Sequence, residues 1–160
     1  MYTLMVYHEG ESYRMQVGKR AEKLIHEMMI ELGFKVFHFG YEYIFPQLAD
    51  RSNLLQGQAG QLIRSIPDFL IVDQKTNRAY LIEVKFRNNA ELDENDRSDF
   101  PEMHIVLVSP QGISIADNNY IMDNPDNEEC FCLLTEIGPF KHKNKDIIMK
   151  YVRKAREEFS

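Results

Sequence analysis

The chain has 160 residues, of which 44% are hydrophobic and 28% charged, a composition typical of a soluble globular protein with one core. It has no run of 18 apolar residues, and its start lacks the basic residues and the small-residue cleavage site of a secretory signal, so we expect a cytoplasmic protein without a membrane partner. The formal net charge of −6 argues against a protein that coats nucleic acid non-specifically, because phosphate binding requires a cationic surface. It leaves open an enzyme that uses carboxylates to hold a metal ion.

The length suits a single domain over residues 1–160, and its first third predicts a helix followed by a strand. Residues 2–7 predict a short strand or lead-in. Apolar residues at helical spacing predict a helix from Gly18 to Leu32. Aromatic and β-branched residues predict a strand from Val36 to Phe45, and the polar segment 46–62 predicts a loop or irregular structure.

The remainder of the chain is rich in predicted strands. Two of them, Ile66–Asp73 and Ala79–Arg87, are separated by a short polar turn and predict a hairpin. Further along, the pattern predicts a loop or short helix over 88–102, strands over His104–Ser109, Ile113–Ile121 and Phe131–Ile137, and a helix over Asn144–Phe159.

Asp68 lies near the start of a segment that is apolar on both faces, which is typical of a central strand. A carboxylate in such a place is costly unless it is paired or bound to a metal ion. The alternative interpretation is that Asp68 caps a turn at the frayed end of the strand.

The following strand has an apolar face and a face that carries charges, because side chains alternate along a strand. Glu83 and Lys85 share the charged face, about 7 Å apart along the strand. The alternative is an amphipathic strand whose charged face is solvated. Because a short turn joins the two strands, we expect Asp68 to lie near Glu83.

Two carboxylates beside a lysine are the groups that metal-assisted hydrolysis of a phosphodiester requires. Mg²⁺ prefers oxygen ligands, commonly one or two carboxylates together with substrate phosphate. The main-chain carbonyl of Val84 can complete the metal shell. Lys85 can orient the attacking water or stabilise the charge of the transition state.

The first helix supplies a third carboxylate, Glu22. It shares a helical line with Ile25 and Met29 and so borders the face that packs on the sheet. The alternative is a glutamate of an N-terminal turn that the helix dipole favours. His26, one turn later, can face the same place or lie at the surface.

The order Glu22, then Pro67-Asp68, then Glu83-Val84-Lys85 resembles the PD-(D/E)XK nuclease superfamily, which includes restriction endonucleases and Holliday junction resolvases. The segment Gly18-Lys-Arg-Ala-Glu22 is similar to the first-helix motif of the resolvase-like branches. The resemblance covers residues 18–108. It implies an α/β fold with a restriction endonuclease-like core, in which helices flank a central mixed β-sheet in the order αβββαβ.

The resemblance also implies a Mg²⁺- or Mn²⁺-dependent nuclease that hydrolyses DNA by attack of an activated water. Asp68 and Glu83 would be metal ligands together with the Val84 carbonyl, Lys85 would be the catalytic lysine, and Glu22 would be an auxiliary ligand. Because many members dimerise to cut two strands, the resemblance implies a homodimer.

Basic residues near these positions are candidates for contacts with nucleic-acid phosphates, although a solvated surface charge is the more common role for any single one of them. They are Lys19, Arg20, Arg64 and Arg87. Two other functions compete with a nuclease. One is a nuclease-fold module that no longer cuts and serves in nucleic-acid binding or protein assembly. The other is an α/β scaffold without a site.

Overall fold

Six β-strands form one mixed sheet in the computed structural model, which describes residues 2–47, 55–91, 102–117 and 132–160, without the side chains of residues 2–12 and Cys132. The strands lie in the sheet in chain order, and every neighbouring pair is antiparallel except β3 and β4, which are parallel. Their bounds are β1 Phe34–His38, β2 Phe69–Asp73, β3 Ala79–Phe86, β4 Met103–Ser109, β5 Gly112–Asp117 and β6 Cys132–Leu133.

Helices flank this sheet, so the protein has an α/β fold. The two long ones contact each other and share one hydrophobic core with strands β1 to β5. The helices are α1 Tyr2–Glu31, α2 Tyr41–Ile44, α3 Gly57–Arg64 and α4 Lys145–Phe159, and a short 3₁₀ helix covers Gly138–Phe140. Among the described residues, no helix is both long enough and apolar enough to cross a membrane.

The core lies between the long helices and one face of the sheet. Ile25 and Met28 of α1, Ile82 of β3 and Ile148 of α4 are at most 1% exposed within it. Burying such a side chain stabilises the folded state by about 1.5–3 kcal/mol. Tertiary packing of this kind, and not intrinsic helix propensity, supplies most of the stability of helices in proteins. This packing holds α1 against β3, the strand that carries Glu83 and Lys85.

The predictions for the hairpin, the buried strand and the last helix are confirmed. β2 and β3 pair antiparallel, and Phe69 lies opposite Ile82. The predicted strand over His104–Ser109 is β4, whose residues are buried on both sheet faces apart from half-buried His104. The last helix begins after Asn144, whose Oδ1 accepts hydrogen bonds from the backbone N–H groups of Asp146 and Ile147.

The strand predicted over Val36–Phe45 is wrong in its second half. β1 ends at His38, and the chain turns into the short helix α2. The backbone N–H groups of Phe39 and Gly40 both donate to the carbonyl of Asp68, at 2.8 and 3.3 Å, so the strand ladder ends there. The abundance of aromatic residues raised the strand propensity of this segment, but propensity does not show where a partner strand stops.

Two other predictions for the first half of the chain are also wrong. Residues 2–7 belong to α1 rather than to a strand, because extending an existing helix adds one hydrogen bond for each residue fixed. Part of the predicted loop 46–62 is helix α3. Gly60 within it is buried, and a Cβ there would lie 2.9 Å from the Leu55 carbonyl carbon, so this glycine permits close packing instead of breaking the helix.

Three predictions in the second half fall partly outside the described residues. Residues 92–101 of the predicted loop or helix, residues 118–121 of the predicted strand Ile113–Ile121, and Phe131 are not described. β5 ends at Asp117. The strand predicted over Phe131–Ile137 is reduced to Cys132–Leu133, and turns follow it.

The turn between β2 and β3 depends on Asp73, and we expect Asp73→Ala to destabilise the protein by about 2–3 kcal/mol. Asp73 Oδ1 accepts the backbone N–H of Lys75 at 2.8 Å, and Oδ2 pairs with Lys143 Nζ at 2.9 Å. Both paired side chains are under 15% exposed, so the variant leaves an unpaired ammonium with little access to water. Urea unfolding of the two proteins measures the difference.

The exposed pair Arg20–Glu158 provides the control for this experiment. Its side chains are 47% and 34% exposed, so Glu158→Gln is expected to change the free energy of unfolding by under about 0.5 kcal/mol. Equal losses in Asp73→Ala and Glu158→Gln would contradict the role given to the Asp73 turn.

Candidate active site

The hairpin brings the two predicted carboxylates together. Asp68 immediately precedes β2 and therefore continues the register in which Phe69 lies opposite Ile82, which places it opposite Glu83. Asp68 Oδ2 accepts the backbone N–H of Val84 at 2.8 Å, and the backbone N–H of Asp68 donates to Glu83 Oε2 at 3.2 Å. These reciprocal hydrogen bonds tie the start of β2 to the middle of β3 and hold both carboxylates at one point of the sheet.

Lys85 completes this group from the same strand. Its Nζ lies 3.1 Å from Glu83 Oε1, and the side chains of Lys85 and Glu83 are only 28% and 17% exposed. Because residues two apart share one face of a strand, the alternation of β3 alone places the lysine beside the glutamate. The charged face predicted for this strand is therefore half-buried instead of fully solvated.

Two further carboxylates, Glu22 of α1 and Glu42 of α2, interact electrostatically with this group. The pKa of Glu22 is raised to about 7, chiefly by burial and then by the negative charges of Glu42 and Glu83, against the opposing effect of Lys19 and Lys85. Because α1 packs on β3, Glu22 lies within electrostatic range of Glu83 and Lys85 on that strand. Glu22 is thus half-buried beside other carboxylates, not a solvated residue of the helix surface.

Burial also raises the pKa of Asp68 well above its usual value, and the charges of Glu83 and Glu22 add to the effect, while the hydrogen bond from Val84 opposes it. Burial likewise raises the pKa of Glu83, and the neighbouring ammonium of Lys85 lowers it. Several carboxylates that burial and mutual repulsion make costly to ionise are a feature of functional sites more often than of structural ones. A cation placed among them would relieve the repulsion.

The donor atoms at this site fit a hard divalent cation, although they do not form a complete cage. Among the described residues, no group of three or more His, Cys, Asp or Glu side chains could hold a metal ion. One reason for the incomplete cage is that both side-chain oxygens of Glu83 already have protein partners. One accepts the N–H of Asp68, and the other pairs with the ammonium of Lys85. Mg²⁺ needs no such cage, because it keeps several waters and binds proteins through one or two carboxylates.

The predicted phosphate-binding residues lie in different surroundings. Lys19 borders the cavity that Glu22 lines, whereas Arg64 is exposed at the end of α3. Arg20 pairs with Glu158 at 2.9 Å and lies over the ring of Phe159.

Arg87 donates to the carbonyl of Phe86 at 2.6 Å. Together with Arg14, Arg20 and Lys85, it lines a cavity of 630 Å³. Three of the four predicted cations, Lys19, Arg20 and Arg87, therefore border cavities next to the site, and Arg64 lines neither of these two cavities.

Glu42 is the site residue that the sequence did not predict. A strand over Val36–Phe45 would have made it one charged residue of an amphipathic strand. The structure places it in the first turn of α2, after Gly40 and close to Glu22 and Glu83. The sequence contains one indication of this helix. Gly40 separates the apolar strand from Glu42, and an acidic residue is favourable in the first turn of a helix.

The fold and the site define an α/β protein with a half-buried carboxylate group and an adjacent lysine. No family model, no curated protein and no solved structure matches the chain. The arrangement of its own residues therefore carries the functional argument.

Proposed function

We propose that the protein is a metal-dependent nuclease with a restriction endonuclease-like core, which hydrolyses phosphodiester bonds of DNA by attack of an activated water. The observation that carries this proposal is the adjacency of Asp68 and Glu83 beside Lys85. The Asp68 N–H donates to Glu83, the Val84 N–H donates to Asp68, and Lys85 Nζ lies 3.1 Å from Glu83 Oε1. The arrangement of a helix, three antiparallel strands and a parallel fourth strand supports the same class.

Asp68, Glu83 and the Val84 carbonyl would hold Mg²⁺ or Mn²⁺ at this site, and Glu22 would support it directly or through water. Such a cation lowers the pKa of bound water and offsets the charge of the phosphate. It also suits this protein in particular, because the carboxylates repel one another and their ionised forms lack a sufficient counter-charge.

Lys85 and the backbone of β3 orient the reacting groups. The Val84 N–H holds one oxygen of Asp68 and so leaves the other oxygen for a ligand. Lys85 Nζ, paired with Glu83, lies where a cation can stabilise the developing charge on a phosphate oxygen. Glu22, with a pKa of about 7, exchanges a proton near neutral pH before a cation binds.

A second function, a nuclease-fold module that no longer cuts and serves in nucleic-acid binding or protein assembly, is favoured by two observations. Both oxygens of Glu83 are engaged by protein groups, and the net charge of −6 disfavours binding of a polyanionic DNA substrate. Calorimetric titration with Mn²⁺ separates the two functions. Binding near millimolar metal supports the nuclease, and its absence supports the module.

The test of the nuclease is a cleavage screen with Mg²⁺ and Mn²⁺ over linear, nicked, flapped and four-way-junction DNA. The expected result is metal-dependent cleavage of at least one substrate that EDTA abolishes. Cleavage that persists in EDTA, or no cleavage of any substrate under conditions where metal binding is measured, would overturn the proposal. Gel filtration of the same preparation tests the homodimer that the resemblance implies.

A further inference from the structure

A second cavity, with a volume of 520 Å³, opens beside the carboxylate group. Its size is in the range of sites for small organic ligands. The residues that line it combine lysines, carboxylates, imidazoles and aromatic rings, namely Lys19, Glu22, Lys23, His26, His38, Glu42, Tyr43 and Phe69. Because Glu22 and Glu42 belong both to this lining and to the carboxylate group, a ligand in the cavity would lie next to the proposed reacting centre.

Stacked rings form one wall of this cavity. The ring of Tyr43 stacks on His38, with centroids 4.4 Å apart and planes inclined by 20°. His26 stacks on Phe69, with centroids 5.7 Å apart and planes inclined by 4°, and His38 lies 5.2 Å from both His26 and Phe69. Although it is packed against His38, Tyr43 remains 53% exposed, so part of its ring is open to a further planar group.

Two lysines also line this cavity. Lys19 and Lys23 lie one turn apart on α1 and are both exposed, so both ammonium groups belong to the same rim of the cavity. The cavity therefore combines a ring surface for a planar group with two cations for an anion. These are the two components with which proteins bind single-stranded nucleic acid, where bases stack on aromatic rings and cations follow the backbone.

We propose that this cavity receives one unpaired nucleobase of the substrate, stacked on Tyr43, while Lys19 and Lys23 contact the adjoining phosphate. The inference rests on the proposed nuclease function and specifies its substrate class as nucleic acid with unpaired nucleotides, such as single strands or flaps. A paired base cannot occupy the cavity, because its two faces are covered by its neighbours in the stack and its edge by its partner.

The experiment measures binding separately from cleavage. Fluorescence anisotropy with a labelled single-stranded oligothymidine and with a labelled duplex is recorded for the full chain carrying Asp68→Asn, in Mg²⁺, so that little probe is cleaved during the measurement. The single strand is expected to bind more tightly than the duplex. Tyr43→Ala is expected to weaken single-strand binding about tenfold and duplex binding much less, whereas Tyr43→Phe retains the preference.

Phe37→Ala is the matched control. Phe37 lies on β1 next to His38 but on the opposite face of the sheet, it is 51% exposed, and it is not part of the cavity lining. It is expected to leave binding of both probes unchanged. Circular dichroism confirms the fold of each variant, and Tyr43→Leu serves if Tyr43→Ala does not fold.

Three outcomes would overturn the inference. They are equal binding of single strand and duplex, unchanged single-strand binding in Tyr43→Ala, and an equal loss in Phe37→Ala. Failure of the nuclease proposal is recognised differently, as absence of metal-dependent cleavage by the wild-type chain on any substrate. A cleaving enzyme that shows no effect of Tyr43→Ala keeps its function and loses only this site for an unpaired base.

Discussion

Asp68→Asn is expected to reduce metal-dependent DNA cleavage by about 10²–10³-fold without unfolding the protein. The asparagine keeps a carbonyl oxygen that can accept the Val84 N–H, so the tie between β2 and β3 survives. The negative charge that would attract the cation is lost. Because burial already disfavours the ionised form of Asp68, replacing it with a neutral amide should not lower stability. Initial rates of cleavage and thermal unfolding of the same samples measure both effects.

Lys85→Met is expected to reduce cleavage by a similar factor, but for a different reason. The methionine fills most of the space of the lysine side chain, but the cation beside Glu83 is removed, so metal binding should persist while cleavage falls. Calorimetry with Mn²⁺ and cleavage rates separate the two effects. If metal binding were lost together with cleavage, Lys85 would act by positioning Glu83 and not through the substrate.

Exposed residues of the same chemical types supply the controls for both variants. Asp146→Asn in the first turn of α4 and Lys35→Met on β1 change the same charges outside the carboxylate group, and both should retain wild-type cleavage. Wild-type activity in both Asp68→Asn and Lys85→Met would contradict the assignment of the site. Equal losses in the control variants would show that net charge alone governs activity.

The second large effect is on stability, which in the metal-free protein is expected to fall as the pH rises from 5 to 8. The folded-state pKa of Glu22 is about 7, above its usual value of 4.5, so the folded chain binds more protons than the unfolded chain between these values. The stability associated with protonated Glu22 is therefore fully present below about 4.5 and is lost as the pH passes through 7. Asp68 and Glu83, whose pKa values are also raised, add to the loss in the same direction.

Glu22→Gln isolates the contribution of one carboxylate. It should stabilise the metal-free protein at pH 8 by about 1–2 kcal/mol, because solvent screens part of the charge of this half-buried side chain, and change little at pH 4.5, where the wild-type side chain is mostly neutral. Urea unfolding at the two pH values measures the difference. Glu27→Gln, on the exposed side of the same helix, is the control and should have the same small effect at both pH values.

Millimolar Mg²⁺ tests the same repulsion from the opposite direction. A cation that binds the folded state alone raises the apparent stability, so Mg²⁺ should raise the melting temperature of the wild-type protein at pH 8 more than that of Glu22→Gln. An equal effect of Mg²⁺ on both proteins, or a destabilising Glu22→Gln at pH 8, would contradict the view that unneutralised carboxylates oppose folding.

Local sequence pattern was sufficient to predict that Asp68, Glu83 and Lys85 lie close together. The hairpin follows from two apolar runs with a polar turn between them, and alternation along one strand places Lys85 beside Glu83. The proximity of Asp68 to Glu83 needed only these two facts, because the partners are fifteen residues apart and one short turn joins their strands. The last helix was predicted equally well, because its apolar face and its N-cap residue belong to one continuous segment of the sequence.

The tertiary structure decided the features that depend on segments distant in the sequence. The end of β1, and with it the position of Glu42 and Tyr43, is set by hydrogen bonds to Asp68, which the local abundance of aromatic residues does not reveal. The raised pKa of Glu22 likewise arises from burial under a folded sheet and from charges on two other elements. Sequence alone thus determined which groups share a strand. The pKa of a buried carboxylate depends on desolvation and on charges from several elements, and only folding brings these elements together. The raised pKa values of the carboxylate group, and the ring-lined cavity beside it, were therefore determined by the tertiary structure.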